Sequence, residues 1–244
     1  MRIRVLTWNI HKAIGGVDRR YRPDRVAEVL HHYQPDLVLL QEVDEGVRRS
    51  GFHRQVDLFG EACGFPHREY GPNVRVRQGR YGNATLSRWP IRNAHNVDLT
   101  IPPKKRRGAL YTRIRIRRES GSRTLKVFNL HLGLAGYERK RQLRNFLTSQ
   151  PFARLHQRTP VVVGGDFNDL WGSLGEQLLS PAGFLRAGGL IHTYPAFLPV
   201  RPLDGLWVRG DIQPERCFRS RLELARDASD HLPLVADFRV AFPG

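Results

Sequence analysis

Short apolar runs recur along this chain, and each one ends or begins in a polar cluster. Ile3-Arg4-Val5-Leu6-Thr7-Trp8 runs into Asn9, and Asp36-Leu37-Val38-Leu39-Leu40 runs into Gln41-Glu42. Leu125-Lys126-Val127-Phe128 runs into Asn129-Leu130-His131, and Val161-Val162-Val163 into Gly164-Gly165-Asp166-Phe167-Asn168. Two further runs carry their polar residues at the start: Asp204 before Leu206-Trp207-Val208, and Ser229-Asp230-His231 before Leu234-Val235-Ala236. Runs of this length and composition predict buried strands. Polar groups at strand ends converge at one edge of a sheet, where loops leave room for a ligand. Val26, Val29, Leu30 and Tyr33 share one helical face, and Pro23 suits the first turn. Val56, Phe59 and Cys63 predict a second helix, and Leu143, Phe146 and Leu147 a third. Ser173-x-x-Glu176 reads as a capping box opening a short fourth. Strands and helices alternate early, while the stretch from Tyr81 to Val127 reads as mostly β. The mixture predicts an α/β fold of two sheets packed face to face with helices outside.

Composition sharpens this picture only in part. The 244 residues suit one domain spanning 1–244, with 40% hydrophobic and 26% charged residues. A chain this long buries a sizeable core without staples. Cys63 and Cys217 form no CxxC pair and read as buried apolar thiols rather than a disulfide. No charged segment leads into an apolar leader, and no run approaches the roughly 18 apolar residues of a spanning helix. The expectation is a soluble cytoplasmic protein. The formal charge of +17 should attract polyanions: nucleic acid, an anionic membrane surface or phosphorylated small molecules. Arginine supplies almost all of it, which suits bidentate contact with phosphate. A genome rich in G and C produces the same bias. Lys104-Lys105-Arg106-Arg107, after Pro102-Pro103, reads as an exposed loop, either a solvated turn or an anion contact near a site mouth. Nothing in the sequence indicates an oligomeric state.

The polar clusters carry the candidate chemistry. Glu42 ends a strongly apolar strand, where a charge is costly unless paired or metal-bound. Oxygen ligands such as Glu42 and Asn9 suit Mg²⁺ or Mn²⁺, and no HExxH or CxxC offers a zinc site. In Gly164-Gly165-Asp166-Phe167-Asn168, the glycines permit close backbone approach. Asp166 and Asn168, two apart, share a side if the extended backbone persists, and could then orient a water; a Gly/Asp/Asn-rich turn is the plain alternative. On a regular strand, Asp230 and His231 would face opposite ways. Asp204 could orient His231, and His131 offers a second imidazole.

Each cluster is weak alone, but their joint order is specific. A chain reading W-N…Q-E-V…G-N-A-x-L-S-R…N-x-H-L-G…G-G-D-F-N…L-D…S-D-H-x-P-L resembles the endonuclease/exonuclease/phosphatase superfamily from Asn9 to Asp237. That superfamily includes deoxyribonuclease I, abasic-site endonucleases, neutral sphingomyelinases and inositol-polyphosphate phosphatases. The resemblance implies a four-layer α/β/β/α sandwich and a Mg/Mn-dependent phosphoesterase. It implies Asn9, Glu42 and Asp230 on the metal side, with Asp166 and Asn168 positioning water and phosphate. His231 falls beside the scissile phosphate with Asp204 as its partner, and His131 matches a second histidine of many members. Asn83 fits either a site-edge amide that binds substrate or a strand-end hydrogen bond. Around Asp204 the chain reads Pro202-Leu203-Asp204-Gly205-Leu206 and lacks the aromatic neighbour of many relatives, which weakens the expected pairing with His231. No carboxylate that must pair with His131 is evident. The implied substrate is a phospholipid or small phosphodiester, or alternatively a DNA or RNA backbone. An inactive phosphate-binding or nucleic-acid-binding module would have lost a ligand position, and all are present.

Overall fold

The protein's structure, a computed structural model, describes residues 1–118 and 121–242. Its strands are β1 (Arg2–Asn9), β2 (Leu37–Glu45), β3 (His67–Arg75), β4 (Arg80–Ser87), β5 (Ile91–Asp98) and β6 (Gly108–Arg118). They continue with β7 (Gly121–His131), β8 (Val161–Asp166), β9 (Leu185–Arg186), β10 (Asp204–Arg209), β11 (Ile212–Arg219) and β12 (Leu234–Val240). Two six-stranded mixed sheets result, ordered β11-β12-β1-β2-β4-β3 and β5-β6-β7-β8-β10-β9. The helices are α1 (Pro23–Tyr33), α2 (Gln55–Ala62), α3 (Gly136–Thr148), α4 (Leu174–Leu178) and α5 (Glu223–Ala228).

The alternation of side chains along a strand assigns each residue to a layer. Ile3, Val5, Leu37 and Leu39 of the first sheet meet Leu125, Val127, Val162, Leu206 and Val208 of the second in the central core. Leu6, Trp8, Val38 and Leu40 face the other way, against α1 and α2 residues such as Val29, Leu30 and Phe59. Phe128, Leu130, Val161, Val163 and Trp207 pack on Leu143 and Phe146 of α3. The result is the expected four-layer sandwich. Both parallel pairs, β1 with β2 and β7 with β8, are joined through a crossover that includes a helix. Their carboxyl ends therefore open on the same edge as the polar clusters.

Three expectations are corrected. Ser173 precedes α4 but makes no capping hydrogen bond, because its φ/ψ of −92/−17° is helical rather than extended. Asp169 Oδ2 instead accepts the Leu174 N–H at 2.6 Å, and Glu176 accepts from Ser180 Oγ at 2.8 Å. Cys63 and Cys217 are unpaired but only half-buried, and burial pushes their thiols up to about 11 and about 12. In the basic run, Lys104, Lys105 and Arg106 are exposed as expected, whereas Arg107 is buried.

Between the sheets, near the polar edge, the apolar core gives way to amides. Asn129 Nδ2 donates to Leu40 O at 2.9 Å and Ala84 O at 2.8 Å. Its Oδ1 accepts from Gln41 Nε2 at 2.7 Å. Asn83 Nδ2 donates to Gly108 O and Asn129 O at 3.3 and 3.0 Å. All three side chains are fully buried, and they tie β2 and β4 to β6 and β7 beside the bulge that follows Leu40. Asn129→Leu would strip Leu40 O and Ala84 O of these donors and Gln41 Nε2 of its shortest contact, leaving the latter Thr7 Oγ1 and Leu39 O. It should destabilise the fold by roughly 2–4 kcal/mol in urea unfolding; a loss within about 0.5 kcal/mol, the range of ordinary surface changes, would show that the clamp contributes little.

Candidate active site

The site is assembled by strand register. His131 lies opposite Asp166 across β7 and β8, and Asp204 lies opposite Asp166 across β8 and β10. All three share the inward parity of the central-core residues on their strands, as does Asn9 on β1. The glycines before Asp166 make this packing possible. A Cβ on Gly164 would come within 2.6 Å of Leu206 and 2.9 Å of Leu39, and one on Gly165 (φ 142°) would strike Leu130 O at 1.9 Å.

Asp166 is the hub, with 1% exposure. Its Oδ2 accepts from Asn9 Nδ2 at 3.0 Å and lies 3.6 Å from His131 Nε2 and 3.8 Å from His231 Nε2. The Asp166–Asn9 bond crosses from one sheet to the other. His231 Nδ1 bonds Asp204 Oδ2 at 2.8 Å, so the expected pair is present. Asp204 Oδ2 also accepts from Thr193 Oγ1 at 2.5 Å, while its Oδ1 is buried without a partner among the described residues. The Tyr194 ring packs 4.9 Å from that of His231.

The two imidazoles are driven apart electrostatically. Burial pulls His231 down, but the charges of Asp204 and Asp166 and the Asp204 hydrogen bond outweigh it and push it up to about 10. Burial, then the Arg107 charge, holds His131 well below its ordinary value, only partly opposed by Glu42. Burial raises Asp166, partly opposed by the His231 charge. Burial also works against ionised Glu42, yet Lys12 and His131 hold it at about 2. The Lys12 ammonium pairs directly with the Glu42 carboxylate.

Two local expectations fail for one reason: the extended backbone stops early. β8 ends at Asp166, and Asn168 takes a φ of 50°. Its N–H turns back to Asp166 Oδ1 at 2.8 Å, and its Nδ2 donates to Leu132 O at 2.8 Å. Ser229-Asp230-His231 lies between α5 and β12, outside any strand. Long-range bonds position it instead: Ser229 Oγ to Asn9 O at 2.7 Å, Trp8 Nε1 to His231 O at 2.8 Å, and Ala196 N to Asp230 O at 2.7 Å. Positive φ concentrates here, at His11, Lys12, Ala13, Glu42 and Asn168, a strain of roughly 1–3 kcal/mol each that the surroundings must offset.

The structure thus brings Asn9, His131, Asp166, Asn168, Asp204 and His231 together. Glu42 acts electrostatically on His131, and Asp230 on His231. Half-buried Asp230 lines a cavity of about 210 Å³ with Val17, Arg19, Tyr194 and Phe197. Asn83 sits in the inter-sheet seam with 0% exposure rather than at the open edge. Asp166, Asp204 and His231 each offer a ligand atom within 4.8 Å of the others, a group that could hold a metal. Sequence reasoning missed Lys12, Arg107, Thr193 and Tyr194. Only Arg107 carried a signal, as part of the basic run.

A sequence model described as the Endonuclease/Exonuclease/phosphatase family matches residues 6–231. The uncharacterized protein YbhP of Escherichia coli (strain K12) is 32% identical over 256 residues, covering 97% of this chain and 96% of that protein. An endonuclease/exonuclease/phosphatase structure from Beutenbergia cavernae superposes with a TM-score of 0.81 at 23% identity, covering 98% of this chain and 72% of the other. D. rerio TDP2 complexed with single strand DNA product superposes with a TM-score of 0.71 at 18% identity, covering 98% and 99%. At these identities the structural matches establish the fold.

The Asp204–His231 pair yields a direct prediction. In metal-free protein followed by imidazole NMR, His231 should stay protonated well above neutral pH. In Asp204→Asn it should titrate at lower pH, because the neighbouring negative charge is gone. An unchanged titration would refute the pairing as the cause.

Proposed function

Because the chain belongs to the endonuclease/exonuclease/phosphatase family, we propose that it is a divalent-metal-dependent phosphoesterase that hydrolyses phosphodiesters by in-line attack of water. The observation that carries this reading is the buried Asp166 carboxylate, set between two imidazoles and the Asn9 amide. Asn9 and Glu42, with Asp230, would hold Mg²⁺ or Mn²⁺. The fit is supported by the donor set, which is all oxygen, and by Lys12, whose ammonium occupies the Glu42 carboxylate as a cation would. The Asp166–Asp204–His231 group suits an ion less well, because Asp204 Oδ2 already accepts two hydrogen bonds. Bound there, the metal supplies positive charge to the phosphoryl and leaving oxygens. Asp166 accepts a proton from the attacking water, and the Asn168 side chain orients that water. His231, kept cationic by Asp204, donates to a phosphoryl oxygen. His131, neutral, donates a hydrogen bond without adding charge.

For the substrate we favour a phospholipid or similar phosphodiester at an anionic surface. Four loops that begin or end at site residues carry exposed apolar side chains. They include Val17 after β1, Leu134 after β7, Trp171 after β8, and Phe197, Leu198 and Val200 before β10. Soluble surfaces seldom gather such residues without a partner, and aromatic side chains suit a membrane interface. Basic groups accompany them: Arg201 lies 4.8 Å over the Trp171 ring, and Lys104 lies 6.0 Å from that of Tyr137. A second reading, single-stranded nucleic acid stacking on these aromatics, draws support from the TDP2 complex.

Bis-p-nitrophenyl phosphate should be hydrolysed in Mg²⁺ or Mn²⁺, with activity abolished by chelator and reduced at least about 10³-fold in Asp166→Ala. Full turnover in either control would sink the mechanism. On substrate, the protein should co-sediment with phosphatidylglycerol vesicles but not phosphatidylcholine vesicles, and Trp171→Ser should weaken that binding. Metal-dependent nicking of plasmid without vesicle binding would decide for nucleic acid.

A further inference from the structure

Arg107 behaves unlike the exposed cations that precede it. It is 7% exposed. Its backbone is fixed, with N–H donating to Thr100 Oγ1 at 3.3 Å and carbonyl accepting from Leu99 N at 2.9 Å. The next residue opens β6, which pairs with β7 so that Ala109 lies opposite Leu130. Arg107 therefore sits at the end of β6 where β7 delivers His131.

Its guanidinium makes no hydrogen bond or ion pair with any described residue, and its Nε is buried with no partner. Other enclosed arginines here are provided for. Arg4 is held by Asp237 at 2.8 Å. Arg123 and Arg209 share a buried, unpartnered Nε, but the rest of each guanidinium is engaged: Arg123 pairs with Asp211 at 2.6 Å, and Arg209 packs 4.5 Å over the Phe152 ring and bonds Leu155 O at 3.5 Å. The other cations of the site are also engaged, Lys12 with Glu42 and His231 with Asp204. An enclosed guanidinium without a counter-ion is costly, so a fold that keeps one at the strand end beside His131 has reserved it for an anion that arrives later. Its electrostatic influence on His131, second only to burial, fits that placement.

We propose that Arg107 is a phosphate-binding residue of this site, whose guanidinium takes the non-bridging oxygens of the scissile phosphate beside His131. A planar fork suits two such oxygens, where a lysine would offer only a point charge. The proposal rests on the phosphoesterase reading for its substrate, but anion binding can be measured separately.

The test is calorimetric titration of inorganic phosphate, with Mg²⁺ present, into wild-type protein, Arg107→Lys and Arg107→Met. Arg107→Met should weaken phosphate binding at least 10-fold, and Arg107→Lys should fall between. Thermal melting supplies a readout that a structural role would move the other way. Removing an unpaired buried charge should leave Arg107→Met as stable as wild type or more so. Equal phosphate affinity in wild type and Arg107→Met, no phosphate binding by wild type, or a large loss of stability in Arg107→Met would each overturn the proposal. Phosphate binding that depends on Arg107 in a protein that hydrolyses no phosphoester would instead sink the hydrolase reading and leave the anion site standing.

Discussion

The amide clamp between the sheets is the constraint on which the site depends. Asn9 and Glu42 belong to one sheet, and His131, Asp166 and Asp204 to the other. Apolar packing alone holds two sheets together without fixing their offset, since dispersion contacts are non-directional. Asn129 has two N–H groups and finds two carbonyls of the first sheet for them. That geometry admits one alignment, and in it Asn9 reaches Asp166 at 3.0 Å. Catalytic geometry tolerates little error, because a displacement of about 1 Å costs rate steeply. Directional bonds from buried amides are a suitable way to hold it.

Within that frame, identical residue types are driven to opposite states. His231 and His131 are both buried and both lie within 4 Å of Asp166 Oδ2. One has Asp204 behind it and stays cationic; the other has Arg107 nearby and stays neutral. Thr193 holds Asp204 from behind, so a hydroxyl from a long loop helps set the charge of an imidazole at the centre. Environment, not residue identity, assigns the roles.

How much of this was legible in the sequence follows from what sequence periodicity can encode. Inside a strand, alternation fixes the face. The layer assignment and the convergence of Asn9, His131, Asp166 and Asp204 were therefore readable from apolar runs with polar ends. Beyond the last ladder bond, alternation says nothing. Asn168 and the Ser229–His231 segment adopt conformations set by hydrogen bonds to distant parts of the chain. Ser173 has the right residue type for a cap but the wrong backbone conformation. Thr193 and Tyr194 left no trace in the sequence, because a threonine in a loop is unremarked until its partner is known.

The same distinction bears on the positive charge. Composition could not separate an arginine excess serving phosphate from one imposed by a genome. Pairing narrows the question. Arg2, Arg4, Arg49, Arg54, Arg68, Arg80 and Arg123 each face a carboxylate; these pairs largely neutralise their own fields at short range, and the exposed ones contribute little to stability. Other arginines, such as Arg48, Arg75, Arg92 and Arg141, are exposed and spread over the surface, but near the site the free charge is the exposed run at 104–106, Arg201 against Trp171, and Arg107 beside His131. These groups lie with the apolar loops at the edge where the reactive side chains meet. What sets this edge apart from the rest of the basic surface is that its cations coincide with exposed apolar side chains, surface that water covers unfavourably.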